Sequence, residues 1–147
     1  MDNKIINELF NKRLLRKIPF DIAKIENSLK IAESKLLRSK KLLDKNFFDE
    51  CFLVAYTSMF YASRALFYKS GIQEKSHYAV YVYIREMHKS KMQVQLIESF
   101  KNYQLERHNI LYLSPKEISK EEAAAILSDA NEFLLEVKKI LENDKKL

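Results

Sequence analysis

The 147-residue chain is 47% hydrophobic and carries a formal net charge of +6, with one Gly, two Pro and one Cys. So few turn-forming residues argue against a sheet fold, and a single cysteine excludes an intramolecular disulfide. No segment approaches the roughly 18 uncharged apolar residues of a membrane-spanning helix, and the charged N-terminus does not match a signal peptide. We therefore expect one soluble, cytoplasmic, all-helical domain over residues 1–147.

The excess positive charge is confined to the N-terminal third of the chain. Residues 1–46 hold 12 Lys and Arg against 6 Asp and Glu, whereas residues 47–147 hold 14 of each. Such clusters attract phosphate backbones or an acidic protein, although a charge run usually only solvates a helix face. One experiment distinguishes the two partners by neutralising four of these cations: Arg13, Arg16, Arg38 and Lys41. If salt-sensitive binding is then lost, nucleic acid is favoured over protein as the partner.

The first two helices are predicted from residue 1 onward. Residues 1–19 indicate a short basic helix from Asn3 to Lys17 that ends near Pro19, because proline disfavours helical geometry in the preceding residue. Residues 20–144 are the expected bundle core. Apolar residues between Asp21 and Lys45 recur at spacings of three, four and seven, which predicts a long amphipathic helix. Asn46 is the predicted N-cap of the helix that follows.

The next helix, from Phe47 to Lys69, is apolar around most of its circumference, so we expect it at the centre of the bundle. Gly71 is the expected C-cap residue. Small residues on this helix permit close approach of a neighbouring helix: Ala55, Ser58, Ala62 and Ala65.

Two further helices are expected from about Ser76 to Met87 and from Lys91 to Leu113. On the second of these, Arg107 falls on the apolar stripe. An unpaired buried guanidinium is costly, so this placement indicates an ion pair, an interface or a functional site.

The start of the last helix has two candidate capping boxes, Ser114–Glu117 and Ser119–Glu122, and the sequence leaves the choice between them open. Apolar residues then alternate at spacings of four and three up to a charged tail. The elements together predict an all-α bundle of four or five helices.

The segment Ala55-Tyr56-Thr57-Ser58-Met59-Phe60-Tyr61-Ala62-Ser63-Arg64-Ala65-Leu66, followed by Gly71 and Lys75-Ser76-His77, resembles the HEPN domain (higher eukaryotes and prokaryotes nucleotide-binding). Arg107 followed by Tyr112, and the segment from Glu121 to Leu134, resemble the closing helices of the small prokaryotic members. The resemblance implies an up-and-down four-helix bundle with an additional short helix. It also implies a homodimer that is paired with a minimal nucleotidyltransferase as a toxin–antitoxin system.

Many proteins of this family are metal-independent RNases. Their motif is an Arg and a His separated by four to six residues, and two protomers build the site at their interface. A general base activates the ribose 2′-hydroxyl while a cation stabilises the charge that develops on the phosphate. In this sequence Tyr112 stands at the first permitted His position after Arg107, and the motif histidine is missing.

The resemblance and the residues together suggest a set of site residues. Arg107, with His108 or His77, is the candidate catalytic set, and Tyr61, Arg64 and Tyr112 are the candidates for nucleotide or partner binding. In some family pairs the nucleotidyltransferase attaches AMP to a tyrosine just after the motif histidine, which makes Tyr112 a candidate acceptor.

Structural explanations exist for the same residues. His108 follows Arg107 directly and points about 100° away around the helix, so it can be a packing histidine. His77 can be a residue of a capping turn. The tyrosines near Arg64 can stack on bases or pack in the core: Tyr56, Tyr61, Tyr78, Tyr81 and Tyr83.

Neither a metal nor a cofactor is expected, because the histidines lack metal-ligand spacing and no Gly-rich phosphate loop is present. Three functions remain open. The first is an RNase-type HEPN toxin that acts on RNA, and the second is a non-catalytic subunit that binds a nucleotide or a nucleotidyltransferase. The third is a dimeric helical adaptor that binds its partner through the basic N-terminal helix.

Overall fold

The computed structural model describes residues 3–113 and 117–145. Four long helices form the expected all-α bundle, and two shorter helices and a small two-stranded sheet accompany them. The elements in chain order are α1 (Lys4–Asn11), β1 (Leu15–Lys17), α2 (Ile22–Asp44), α3 (Phe48–Lys69), β2 (Ile72–Glu74), α4 (His77–His88), α5 (Val94–Tyr112) and α6 (Lys120–Lys145). The all-α bundle predicted from the sequence is confirmed.

Helix α3 lies at the centre, as predicted, and packs against α2, α5 and α6. Its small residues are fully buried, which lets α2 approach closely. Two hydroxyls join the paired helices: Ser58 Oγ donates to the carbonyl of Ala32 at 2.7 Å, and Ser39 Oγ donates to the carbonyl of Cys51 at 2.8 Å. The polar groups at this contact therefore have partners, as buried polar groups require.

The prediction of a single helix from Asn3 to Lys17 is wrong in its second half. Helix α1 ends at Asn11, Arg13 adopts a left-handed conformation with φ of 59°, and Leu15–Lys17 form β1. Strand β1 pairs antiparallel with β2, so that Arg16 lies opposite Gln73. The partner strand is remote in sequence, and this tertiary pairing overrides the local helical preference of the segment.

Two turns depend on residues with positive φ. Asn46, predicted to begin α3, instead ends α2, with φ of 65° and a hydrogen bond of 2.9 Å from the Phe47 N–H to the Leu42 carbonyl. This is the Schellman arrangement, and Asn tolerates the left-handed conformation it needs. Gly71 follows α3 with φ of 69°, in agreement with the predicted C-cap.

Helix α6 begins at the second candidate capping box. The Ser119 N–H donates to Glu122 Oε1 at 3.2 Å, and the Glu122 N–H donates to Ser119 Oγ at 3.1 Å. This reciprocal pair is the geometry of a capping box. Residues 114–116 of the first candidate lie outside the described residues. Within residues 3–113 and 117–145, no helix is long and apolar enough to cross a membrane.

Candidate functional site

Two buried rings of α3, Tyr56 and Phe60, form the floor of a polar cluster. His77 lies on this floor as the first residue of α4, where Ser76 Oγ caps the helix by accepting the Ala79 N–H at 3.1 Å. The His77 ring stacks on Phe60 with 4.4 Å between ring centroids, and its Nδ1 lies 2.8 Å from the Tyr56 hydroxyl. Contacts to both rings therefore fix the position of His77.

Two guanidinium groups flank this histidine. Arg107 of α5 lies with Cζ 5.5 Å from the centroid of the Tyr56 ring, and Arg64 of α3 lies with Cζ 4.8 Å from that of Phe60. Such contacts of a cation with the face of an aromatic ring are favourable. We name Arg64, His77 and Arg107 the Arg–His cluster.

Burial, together with the charges of the cluster, keeps His77 neutral. Burial lowers the pKa of His77 to about 4, and the positive charges of Arg107 and Arg64 lower it as well. Burial raises the pKa of Tyr56, against a smaller opposite effect of Arg107, so its phenol stays protonated. At neutral pH the cluster thus contains a neutral imidazole, hydrogen-bonded to a neutral phenol, between two cations.

A buried carboxylate of β2 holds Arg64. Glu74 Oε1 lies 2.5 Å from Arg64 Nε, and the Glu74 side chain is only 4% exposed. The other Glu74 oxygen accepts no hydrogen bond from residues 3–113 or 117–145. Glu74 therefore orients Arg64 and offsets part of its charge. No sequence pattern indicates this pair, because β2 itself was not predicted.

Arg107 is half-buried and not enclosed in the core. The apolar stripe of α5 is buried at Leu96 and Phe100, and Tyr103 continues it with a hydroxyl that donates to Asp129. One turn further on, the Arg107 guanidinium lies on the Tyr56 ring. Arg107 and His77, both in the candidate catalytic set, therefore contact the same side chain, Tyr56.

The other two candidates on α5 lie apart from these contacts. His108 is exposed, and its ring centroid lies 5.0 Å from that of Tyr112. Tyr112 is 65% exposed at the last residue of α5. Within one chain, the described contacts thus bring His77 to Arg107 and pair His108 with Tyr112.

Of the five tyrosines near Arg64, Tyr78 is 56% exposed, and the other four divide into two groups. Tyr61 is half-buried, and the Arg64 guanidinium lies 5.0 Å from its ring centroid. Tyr81 and Tyr83 are buried in the core, where Tyr81 donates to Glu98 at 3.2 Å. The structural explanation therefore holds for Tyr81 and Tyr83, whereas Tyr56 and Tyr61 border the Arg–His cluster. Sequence reasoning placed Tyr56 among the aromatic residues but did not single it out.

The cluster is suited to an anion. Two guanidinium groups beside a neutral imidazole attract a phosphate, and His77 adds a nitrogen that can exchange a proton. In the part of the chain that the structure describes, no group of three or more His, Cys, Asp or Glu side chains could hold a metal ion.

Comparison with known proteins gives the chain its family. A protein of Methanocaldococcus jannaschii, named as a candidate toxin, is 32% identical over 119 residues, which cover 80% of this chain and 81% of that protein. The family model of the HEPN domain matches residues 25–140, which include α3, α4 and α5 and thus all three residues of the Arg–His cluster. The chain therefore belongs to the HEPN domain family.

Proposed function

We propose that residues 1–147 form one cytoplasmic HEPN domain that acts as an RNA-cleaving toxin, with the Arg–His cluster as its site. The observation that carries this proposal is the neutral His77 held between Arg64 and Arg107. The name of the Methanocaldococcus jannaschii relative supports a toxin. The missing motif histidine is replaced, in this proposal, by His77 of another helix.

The reaction needs a base and a cation. His77 accepts the proton of a ribose 2′-hydroxyl, whose oxygen then bonds to the adjacent phosphorus. The bond from phosphorus to the 5′-oxygen breaks, which leaves a cyclic phosphate on one product, and the released 5′-oxygen takes a proton from water. Arg107 and Arg64 stabilise the negative charge that develops on the phosphoryl oxygens.

Substrate binding would make His77 a better base. In the free protein the pKa of His77 is lowered to about 4, partly by the two guanidinium groups. A phosphate between these groups offsets their charge and adds a negative charge beside the imidazole, and both effects raise the pKa. Efficient proton transfer requires a pKa near the working pH, so the bound RNA itself helps to activate the histidine.

We also propose that a second copy covers the C-terminal end of α5. Three leucines there are exposed, namely Leu105 at 57%, Leu111 at 43% and Leu113 at 67%. Exposed apolar residues in one part of a helix are typical of an interface, and a twofold axis would pair this end with its own copy. His108 and Tyr112 lie on the same end of α5, so the homodimer would place them near the partner subunit.

The test is cleavage of labelled single-stranded RNA by the purified protein in the presence of EDTA. We expect Arg107→Ala and His77→Ala to lower the cleavage rate by about 10²-fold or more, the range for loss of an acid–base group or a charge-stabilising donor. Arg85→Ala is the matched control, because Arg85 also lies on a tyrosine ring, that of Tyr81, outside the cluster. No cleavage by the wild type would contradict RNase activity, and unchanged cleavage by Arg107→Ala would contradict the Arg–His cluster as its site.

The exposed Tyr112 favours a second candidate function, a non-catalytic subunit that is bound and modified by a nucleotidyltransferase. A hydroxyl on a side chain 65% exposed is accessible to another enzyme. Incubation with ATP and a nucleotidyltransferase encoded beside this gene should then add AMP to the wild type but not to Tyr112→Phe. Tyr78, which is 56% exposed, offers the control, since Tyr78→Phe should be modified like the wild type. Equal modification of Tyr112→Phe, or no modification of the wild type, would exclude Tyr112 as the acceptor.

A further inference from the structure

A second group of cations surrounds Tyr68 near the end of α3. Tyr68 lies four residues after Arg64 and therefore on the same face of the helix. Lys24 of α2 lies with Nζ 5.7 Å from the centroid of the Tyr68 ring. Burial raises the pKa of Tyr68, and the nearby charges of Arg64 and Arg16 act in the opposite direction while Glu74 raises it. Cations from α2, α3 and β1 thus converge on one phenol.

The small sheet holds Arg16 in this position. Arg16 lies opposite Gln73 in the strand pairing, and its Nη2 and Nε lie 2.6 and 3.3 Å from Gln73 Oε1. Because Gln73 is neutral, this hydrogen bonding orients the guanidinium without offsetting its charge. The carboxylate of Glu74, which lies next in β2, is bonded to Arg64. The sheet therefore presents an oriented positive charge beside Tyr68.

The two groups of cations are joined along α3. Tyr56 and Tyr68 are separated by twelve residues of this helix, which is about 18 Å at a rise of about 1.5 Å per residue. Tyr56 and Phe60 are buried, so the partly exposed rings of this face are Tyr61 and Tyr68. Arg64 lies between them, with its guanidinium 5.0 Å from the Tyr61 ring centroid. A positively charged groove with interleaved rings is the chemistry that binds single-stranded nucleic acid, where phosphates contact the cations and bases stack on the rings. In a duplex the bases are paired and stacked on each other, so their faces are not available to the rings of the protein.

We propose that Tyr68, Arg16 and Lys24 form a second RNA subsite that continues the Arg–His cluster along α3. We name these three residues the Tyr68 subsite. It takes a phosphate and a base of single-stranded RNA several nucleotides away from the phosphate at Arg107. Lys24 is an exposed side chain on a flexible stem, so it can move from the ring to the phosphate when a base stacks. This inference rests on the proposed function, because it requires RNA at the Arg–His cluster.

The experiment measures binding of fluorescein-labelled 2′-O-methyl oligouridylates, which have no free 2′-hydroxyl and are not cleaved. The protein is compared with Arg16→Gln/Lys24→Gln, Tyr68→Leu and Arg107→Gln, using an oligomer of about ten nucleotides and a dinucleotide. The charge-matched control is Arg38→Gln/Lys41→Gln. Arg38 lies fourteen residues after Lys24 on α2, about 21 Å along the helix.

We expect Arg16→Gln/Lys24→Gln to weaken binding of the longer oligomer about tenfold, since both cations that contact the phosphate of the subsite are lost. The plot of log binding constant against log salt should become shallower by about 0.7, the value for one neutralised phosphate of a single strand. Tyr68→Leu should weaken binding of the same oligomer through loss of stacking. Binding of the dinucleotide should not change in either variant, because it occupies the Arg–His cluster alone.

The outcomes separate the two proposals. Weaker binding of both oligomers by Arg107→Gln, with no change in Arg16→Gln/Lys24→Gln, would overturn the Tyr68 subsite and leave the proposed function standing. No binding of either oligomer by the wild type would overturn both. An equal loss in Arg38→Gln/Lys41→Gln, or equal binding of an RNA duplex, would show general charge attraction and would also overturn the subsite. Tyr68 is partly buried, so circular dichroism checks the fold of Tyr68→Leu, and the double variant of two exposed residues carries the decision.

Discussion

His77 shows how neighbouring residues set the chemistry of one side chain. Its ring is held by Phe60 and by the Tyr56 hydroxyl, and its pKa is lowered to about 4 by burial and by two guanidinium groups. Each of these neighbours belongs to α3 or α5, whereas His77 begins α4. The protonation state of His77 therefore reports the assembly of three helices.

Neutralising Arg107 should raise the pKa of His77. In Arg107→Gln the positive charge beside the imidazole is lost, so protonation becomes less unfavourable and the pKa moves up from about 4. The shift is measured from the His77 ring signals in an NMR pH titration. Arg85→Gln removes a guanidinium from the Tyr81 ring and should leave His77 unchanged. A pKa of His77 that is the same in Arg107→Gln and the wild type would contradict the described position of Arg107.

His88 should make the fold sensitive to acid. It is buried, neither ring nitrogen has a hydrogen-bond partner among the residues that the structure describes, and the Tyr83 ring lies 6.0 Å away. Burial lowers its pKa from 6.5 to about 4, with a further lowering by Lys91 and an opposite effect of Asp144. Between these pH values the unfolded chain binds a proton that the folded chain does not, so stability falls as the pH falls.

The size of this effect follows from the shift in the pKa of His88. A change in the pKa of His88 from 6.5 to about 4 corresponds to a difference of about 3 kcal/mol in the free energy of unfolding between pH 6.5 and pH 4. We expect His88→Phe to lose less stability than the wild type between about pH 6.5 and pH 4, by about 2–3 kcal/mol. Urea unfolding of both proteins at a series of pH values measures this difference in the free energy of unfolding. Parallel pH profiles for the two proteins would exclude this role of His88.

At the scale of elements, the β1–β2 sheet depends on Gly71. This residue has φ of 69°, its carbonyl accepts the Ile18 N–H at 2.9 Å, and an added Cβ would lie 3.3 Å from the Ile18 carbonyl oxygen. Gly71→Ala should lower the free energy of unfolding by about 1–2 kcal/mol, because an L-residue is strained in this conformation. Gly71→Asn should cost less, since Asn tolerates positive φ, and thermal unfolding compares the two. Equal stability of Gly71→Ala and the wild type would contradict the described turn.

The elements also show what a sequence can predict. Helices α2 to α6 follow apolar periodicity and capping residues that are local to each helix, so their bounds were predicted to within a few residues. Strand β1 was predicted as helix because its partner lies almost sixty residues away, where no local pattern records it. The same limit applies to the site. Arg107 was found because it interrupts an apolar stripe, but Glu74 was missed because only the sheet brings it to Arg64.

At the scale of the whole molecule, the exposed C-terminal end of α5 determines, in our proposal, whether the protein is a monomer or a homodimer. We expect the wild type to sediment as a dimer, and Leu111→Glu to shift it toward the monomer and to lower RNA cleavage in parallel. A charge at the centre of an apolar interface is costly to bury, which is the reason for the expected dissociation. Exposed Leu37 of α2 lies elsewhere, and Leu37→Glu is the matched control that should leave the dimer intact. A monomeric wild type with full RNase activity would overturn the proposed dimer.

The central claim is that the Arg–His cluster binds an RNA phosphate beside His77. The most direct measurement is an NMR pH titration of the histidine ring signals with and without a saturating 2′-O-methyl oligouridylate. His77 and His88 start from the same lowered pKa of about 4, which makes His88 an internal control. We predict that RNA raises the pKa of His77 toward its ordinary value and leaves that of His88 unchanged. An unchanged pKa of His77, or equal shifts of both histidines, would contradict the account.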